Sequence, residues 1–174
     1  MLIDFGFSRL APVNLPIHSW QGTKSYVAPE MWPAGNGRDR SYDAQKADVW
    51  ALGISLFAAA SGVYQDQPVF PWGSAHRIDQ FYRGVLTLQA TRMSQVGDAS
   101  LSRAVCEFYR TLPDAPGFRE GSRLPQSLVS LLDAMLTVDP ADRPSVAQLF
   151  WIAGAWVRGC VAGERGGRYV GTRR

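Results

Sequence analysis

The chain has 174 residues, of which 46% are hydrophobic, 19% charged and 11% aromatic, and its net charge is +3. These proportions are typical of one globular domain and exclude a largely disordered chain, which would carry more charge and fewer aromatic side chains. Most of the positive charge comes from arginines scattered along the sequence without a basic stripe, so we expect no nucleic-acid partner.

The sequence shows no targeting signal, and its cysteine usage favours a protein of a reducing compartment. No basic segment leads into an apolar stretch of signal-peptide length, and no apolar run reaches the length of a membrane span. Cys106 and Cys160 lie far apart and show no metal-ligand spacing. We therefore expect a cytoplasmic or nuclear protein without membrane contact.

In chain order, the sequence predicts a long loop followed by helices. Residues 1–30 are rich in turn-forming residues, whereas the apolar stretch at 44–62 predicts a central buried helix. This helix is apolar on nearly every face, so other elements should surround it. Two further helices are predicted within 125–158, the second capped by Ser145. The Arg- and Gly-rich residues 159–174 predict a flexible tail.

The two late helices are predicted to be amphipathic. The first carries four apolar side chains at helical spacing: Leu128, Leu131, Leu132 and Met135. The second has an apolar face made of Val146, Leu149, Phe150 and Ile152.

Four short motifs follow one another in a recognisable order. They are Asp4-Phe5-Gly6, the segment GTKSYVAPE at 22–30, KADVWALG at 46–53, and DPADRP at 139–144. Together they resemble the activation segment, the central helix and the late-lobe loop of the serine/threonine protein kinase family. One such motif alone is a weak signal, but four in the family's order are not expected by chance.

The resemblance implies a mainly α fold, namely the C-lobe part of a kinase domain over 1–158, in which 1–30 is the activation segment. The N-lobe, with its Gly-rich loop and nucleotide lysine, and the catalytic loop with its base precede the Asp-Phe-Gly motif in the family, and we find no equivalents here. We therefore expect a fragment that is inactive alone. In the intact parent, ATP and Mg²⁺ would be the cofactors and a protein serine or threonine the acceptor.

The resemblance also implies roles for individual side chains. Asp4 would bind the Mg²⁺ that bridges the ATP phosphates, and Phe5 and Gly6 would set the active and inactive arrangements of this motif. Thr23 would face the acceptor site, which favours serine and threonine over tyrosine substrates. Ser19 stands where many family members accept an activating phosphate.

Three more residues would act structurally. Glu30 and Arg143 would form an ion pair that ties the activation segment to the late-lobe loop. Asp48 would accept backbone hydrogen bonds from the catalytic loop, which is missing here. Without that half of the lobe, the helix around Trp50 and Phe57 should expose an apolar patch that a protein partner would cover.

Two alternatives stay open from the residues themselves. The first is a noncatalytic, pseudokinase-like binding or scaffold module that docks another protein through the exposed helix. The intact motif at Asp4 and the threonine at Thr23 argue against it, because a protein freed from catalysis has no need of them. The second, a basic nucleic-acid-binding protein, depends only on the tail at 159–174.

Overall fold

The computed structural model describes residues 6, 8, 21–32, 41–61, 63–64, 67–68, 70–94, 126–152 and 154. Among the predicted site residues, Asp4, Phe5 and Ser19 lie outside this part of the chain, as does the predicted tail at 159–174. The described part is mainly α, as the sequence predicts.

Three helices form the main elements of the described structure: α1 (Ala44–Ser61), α2 (Gln80–Ser94) and α3 (Gln126–Met135). Residues 146–152 form a further helical segment. Two single 3-10 turns precede α1, at Lys24–Tyr26 and Pro29–Met31. Two antiparallel strands follow it, β1 (Val63–Tyr64) and β2 (Gln67–Pro68). No helix in these ranges is both long and apolar enough to cross a membrane.

Aspartates fix where the first two helices begin. The Asp43 carboxylate accepts hydrogen bonds from the backbone N–H groups of Gln45 at 2.9 Å and Lys46 at 3.3 Å. Asp79 caps α2 in the same way, with the Tyr82 N–H at 3.1 Å. Each cap satisfies donors that the first turn of a helix leaves without a partner, so the loops before α1 and α2 enter in fixed directions.

A reciprocal cap starts the helical segment at 146–152. The Ser145 hydroxyl accepts from the Gln148 N–H at 3.2 Å, and the Gln148 side chain accepts from the Ser145 N–H at 2.8 Å. This arrangement is a capping box. The predicted apolar face of this segment is nevertheless mostly in solvent: Leu149 is buried, but Phe150 is 73% exposed and Val146 54% exposed. The apolar pattern of this segment therefore does not correspond to a fully buried face.

The core surrounds one side of α1. Trp50, Ile54 and Phe57 are fully buried against aromatic and aliphatic side chains of the loop before α2, of α2 itself and of α3: Trp72, Tyr82, Val85, Val129 and Leu132. The expectation that Trp50 and Phe57 form an exposed patch is thus wrong, because described elements already cover them. The face of α1 that meets solvent is a different one, and on it Leu52 is 53% exposed.

On its other buried side, α1 approaches α3 closely. Val49 packs with Leu131 and Met135 of α3, and all four predicted apolar positions of α3 are buried. At Gly53 the helices meet with almost no space, since a Cβ atom added there would lie 3.0 Å from the Cβ of Met135 and 3.0 Å from a methyl group of Leu136. Gly53 therefore sets the distance between the two helices.

We expect Gly53→Ala to destabilise the protein. A methyl group at this contact forces α1 and α3 apart, at a cost of about 1–3 kcal/mol that outweighs the gain in helix propensity of up to about 1 kcal/mol. Urea unfolding of the full chain measures the change in the free energy of unfolding. The control is Ser55→Ala on the exposed face of the same helix, and an equal or higher stability for Gly53→Ala would contradict the close approach.

Candidate functional site

The site begins with the turn that follows α3. The Asp139 carboxylate accepts a hydrogen bond from the Ala141 N–H at 2.9 Å, and the Asp139 carbonyl accepts from the N–H groups of Asp142 and Arg143, both at 3.2 Å. Aspartate before proline favours such a turn. Its effect is to aim the Arg143 side chain into the protein, where that side chain is fully buried.

Arg143 joins three parts of the chain: the segment with Glu30, the start of α1 and the residues that follow α3. Its two terminal nitrogens donate to the two carboxylate oxygens of Glu30 at 2.7 and 3.0 Å, a bidentate pair. The remaining donors of the guanidinium reach three backbone carbonyls: Thr137 at 2.9 Å, Lys46 at 2.7 Å and Val138 at 3.3 Å. The five N–H donors of a guanidinium lie in one plane and can reach all of these acceptors at once. A lysine ammonium has three donors on a single nitrogen and could not do so.

Two further contacts support the guanidinium. Its central carbon lies 5.0 Å from the centre of the Trp50 ring, which is within the range of a cation–π interaction. Lys46 donates from its side-chain nitrogen to the Arg143 carbonyl, while Arg143 donates to the Lys46 carbonyl. The start of α1 and the turn after α3 are therefore held by each other's side chains.

An aromatic cluster lies beneath the ion pair. The Trp50, Trp72 and Tyr82 rings have centroids 5.4 to 6.3 Å apart, and all three side chains are buried. Burial raises the pKa of the Tyr82 phenol far above its usual value, and the negative charge of Glu30 adds to this effect, while Arg143 opposes it. Tyr82 is thus a neutral packing element beside the charged pair.

The segment 21–32 has contacts beyond Glu30. The rings of Tyr26 and Phe70 meet edge to face at 5.4 Å, and the Ser25 hydroxyl donates to the Gly73 carbonyl at 3.4 Å. Gly73 is itself held because its N–H donates to the Asp79 carboxylate at 2.9 Å. The segment therefore docks on the loop before α2 as well as on Arg143.

The same segment borders a cavity of about 550 Å³, and both Thr23 and Met31 contribute to its lining. Gly22, Thr23 and Asp48 line it together with neighbouring residues of the segment and of α1. Gly22 has a φ of 135°, which residues with a side chain rarely adopt, so the chain turn before Thr23 requires glycine. Thr23 is exposed, and its hydroxyl does not cap the following turn.

Asp48 is exposed at the edge of this cavity and accepts no hydrogen bond from the part of the chain that the structure describes. The partial burial of its carboxyl raises its pKa above the ordinary value of 3.8. The sequence suggested a carboxylate that depends on backbone donors, and here such donors are absent among the described residues. Among the described residues, nothing offsets the cost of removing the Asp48 charge partly from water.

The predicted site residues fall into four groups. The structure brings Glu30 and Arg143 into direct contact, and it places Thr23 and Asp48 at one cavity. Gly6 lies in an exposed turn. Asp4, the predicted magnesium ligand, is outside the described residues, and within them no three His, Cys, Asp or Glu side chains gather as metal ligands would.

The sequence interpretation missed two residues of the site. Asp139 could have been recognised, since aspartate before proline is a known turn signal. The contact of Lys46 with the Arg143 carbonyl spans 97 residues and has no local pattern, so only the folded structure reveals it.

Comparison with known proteins gives the family. A profile of the protein kinase domain matches residues 1–152. The chain is 37% identical to the serine/threonine-protein kinase kin-29 of Caenorhabditis briggsae over 86 residues, which are 49% of this chain and 9% of that protein. It is 44% identical to CBL-interacting protein kinase 19 of Oryza sativa subsp. japonica over 62 residues, 34% of this chain and 11% of the relative.

A third relative is the serine/threonine-protein kinase SIK3 homolog of Danio rerio, 34% identical over 61 residues, which are 35% of this chain and 5% of the relative. The matched segments thus span about a tenth or less of these three proteins. The family profile covers most of the chain. The chain belongs to the protein kinase domain family, and the predicted resemblance to serine/threonine kinases is confirmed.

We expect Glu30→Gln to lower the free energy of unfolding by about 3 kcal/mol, because it leaves the buried charge of Arg143 without its counter-charge. Chemical denaturation of the full chain measures this loss. Lys24→Gln is the control, since it removes an exposed charge from the same segment. A loss below about 1 kcal/mol would mean that the pair contributes no more than a surface salt bridge.

Asp48→Asn should stabilise the protein at neutral pH. Because burial raises the folded-state pKa, the ionised carboxylate penalises folding above pH 3.8, and the penalty grows as pH rises through the raised value. We expect a gain below about 1 kcal/mol, since water screens this exposed group. Melting temperatures from pH 7 to pH 3 should show the gain vanishing below the ordinary pKa. Asp142→Asn, outside this cavity, is the control, and a pH-independent difference would contradict the assignment.

Proposed function

We propose that this chain is the substrate-binding part of an ATP-dependent protein serine/threonine kinase. The supporting observation is the fixed segment from Gly22 to Met31, which the bidentate Glu30–Arg143 pair anchors at one end. At its other end Thr23 stands exposed at a cavity of about 550 Å³. A protein substrate needs a rigid surface that positions its acceptor residue and an open space in which that residue can bind. The anchored segment would supply the surface, and the cavity would supply the space.

The proposed reaction is transfer of the γ-phosphoryl group of ATP to a serine or threonine hydroxyl of a protein. Family membership supports ATP and Mg²⁺ as cofactors, and Asp4 is the proposed metal ligand. We place catalysis in an intact parent in which residues outside this sequence supply the nucleotide lysine and the base. The chain alone is proposed to be inactive and, in the cell, cytoplasmic or nuclear.

The first experiment is an intact-mass measurement on the protein from its source cells, which identifies the parent. The parent and the 174-residue chain are then incubated with Mg²⁺ and γ-labelled ATP, and with peptides that carry serine, threonine or tyrosine as the sole acceptor. We expect the parent to label serine and threonine peptides and the chain alone to label none.

Variants of the parent separate the parts of this proposal. Asp4→Asn should abolish labelling because the metal loses its carboxylate ligand. Asp142 is an exposed aspartate in the turn that follows α3, and Asp142→Asn should leave the labelling of peptides intact. Labelling of tyrosine peptides alone would contradict the substrate class, and labelling by the isolated chain would contradict its inactivity.

One observation favours the alternative of a noncatalytic binding module. Leu52 is 53% exposed on the solvent face of α1, beside Asp48 and Ala51 at the cavity. If the cell holds only the 174-residue chain and it transfers no phosphate, a protein partner that covers this face becomes the better proposal. Binding of such a partner should then be lost in Leu52→Asp.

A further inference from the structure

The side-chain amide of Gln89 bridges α2 and the residues that follow α3. Its nitrogen donates to the Leu136 carbonyl at 2.9 Å, and its oxygen accepts from the Val138 N–H at 2.8 Å. α3 ends at Met135, and the carbonyls of a last helical turn have no partner within their own helix. Gln89 therefore supplies, from another helix, the donor that the end of α3 lacks.

Arg143 binds two residues of the same stretch, Thr137 and Val138, through their carbonyls. Its guanidinium donates to the Thr137 carbonyl at 2.9 Å and to the Val138 carbonyl at 3.3 Å. Residues 136–138 thus present one carbonyl and one N–H to Gln89, and two carbonyls to Arg143. The Val138 N–H and the Thr137 carbonyl belong to the same planar peptide group, so the bond to Gln89 also orients that carbonyl, and the Leu136 and Val138 carbonyls belong to the peptide groups on either side.

We propose that Gln89 is a positioning residue for Arg143. By locking the peptide planes of 136–138, its amide aims the Thr137 and Val138 carbonyls at the guanidinium, which then meets Glu30 with both terminal nitrogens. Gln89 acts through Arg143, since its own hydrogen bonds go to Leu136 and Val138 and not to Glu30. The inference goes beyond the proposed function, because it concerns how Glu30 is anchored and not what the parent phosphorylates.

The competing explanation is that Gln89 only satisfies two backbone groups at the end of α3. Under that explanation, loss of the amide would expose the Val138 N–H and change nothing at Arg143. A positioning role predicts instead that the Arg143 side chain loosens as well, even when the Val138 N–H keeps its acceptor. Hydrogen exchange at these two groups separates the explanations.

The experiment uses the full 174-residue chain with isotopic labelling, and it measures exchange of the Val138 N–H and of the Arg143 side-chain Nε–H. Gln89→Met keeps the length of the side chain and removes both hydrogen bonds. Gln89→Glu keeps an acceptor for Val138 but presents no donor to Leu136 at neutral pH. Ala90→Glu is the matched control, since it adds the same charge at the exposed neighbouring position.

We expect Arg143 Nε–H exchange to rise roughly tenfold in both Gln89 variants, as loss of local hydrogen bonds implies. The Val138 N–H should exchange roughly tenfold faster in Gln89→Met and near the wild-type rate in Gln89→Glu. The Phe57 amide within α1 reports global unfolding and should not change, and Ala90→Glu should match the wild type.

Two results would overturn the proposal. One is unchanged Arg143 exchange in both Gln89 variants. The other is a rise at Arg143 that the Phe57 amide matches, because the effect would then be global unfolding and not local positioning. If Gln89→Met does not fold, the Gln89→Glu variant decides by the same criteria.

Discussion

A buried guanidinium is the constraint around which the described structure is arranged. Removing the charge of Arg143 from water costs several kcal/mol unless each donor finds an acceptor. The fold supplies a carboxylate from Glu30 and carbonyls from Lys46, Thr137 and Val138. The 3-10 turns, the start of α1 and the turn after α3 must therefore adopt mutually compatible positions before this charge can be buried at low cost.

This arrangement gives the segment 21–32 two different ends. Around Glu30 it is fixed by ionic, aromatic and hydrogen-bonding contacts with distant parts of the chain. Around Thr23 it has a glycine-dependent turn and an open cavity. Asp48 lies at the edge of the cavity, and its charge is only partly solvated. No described residue donates a hydrogen bond to this carboxylate, whereas the charge of Arg143 is matched by the Glu30 carboxylate.

The sequence predicted the elements better than the contacts between them. Leucine spacing located α3, and motif matching named Glu30 and Arg143 as partners, because both signals lie within short stretches of sequence. It failed at Trp50 and Phe57, since burial depends on which element lies opposite, and local periodicity carries no such information. The bonds of Gln89 to Leu136 and Val138 span 47 and 49 residues and likewise leave no local pattern.

The ion pair also has a consequence for the order in which the chain acquires structure. Glu30 and Arg143 are 113 residues apart, and Lys46 and Arg143 are 97 apart. Contacts of such long separation require the closure of large loops, which disfavours their early formation. During synthesis from the N-terminus, Glu30 and the face of Trp50 that Arg143 covers emerge long before their partner. The growing chain therefore carries an unanchored acidic segment and an indole face without its cation until residue 143 has been made.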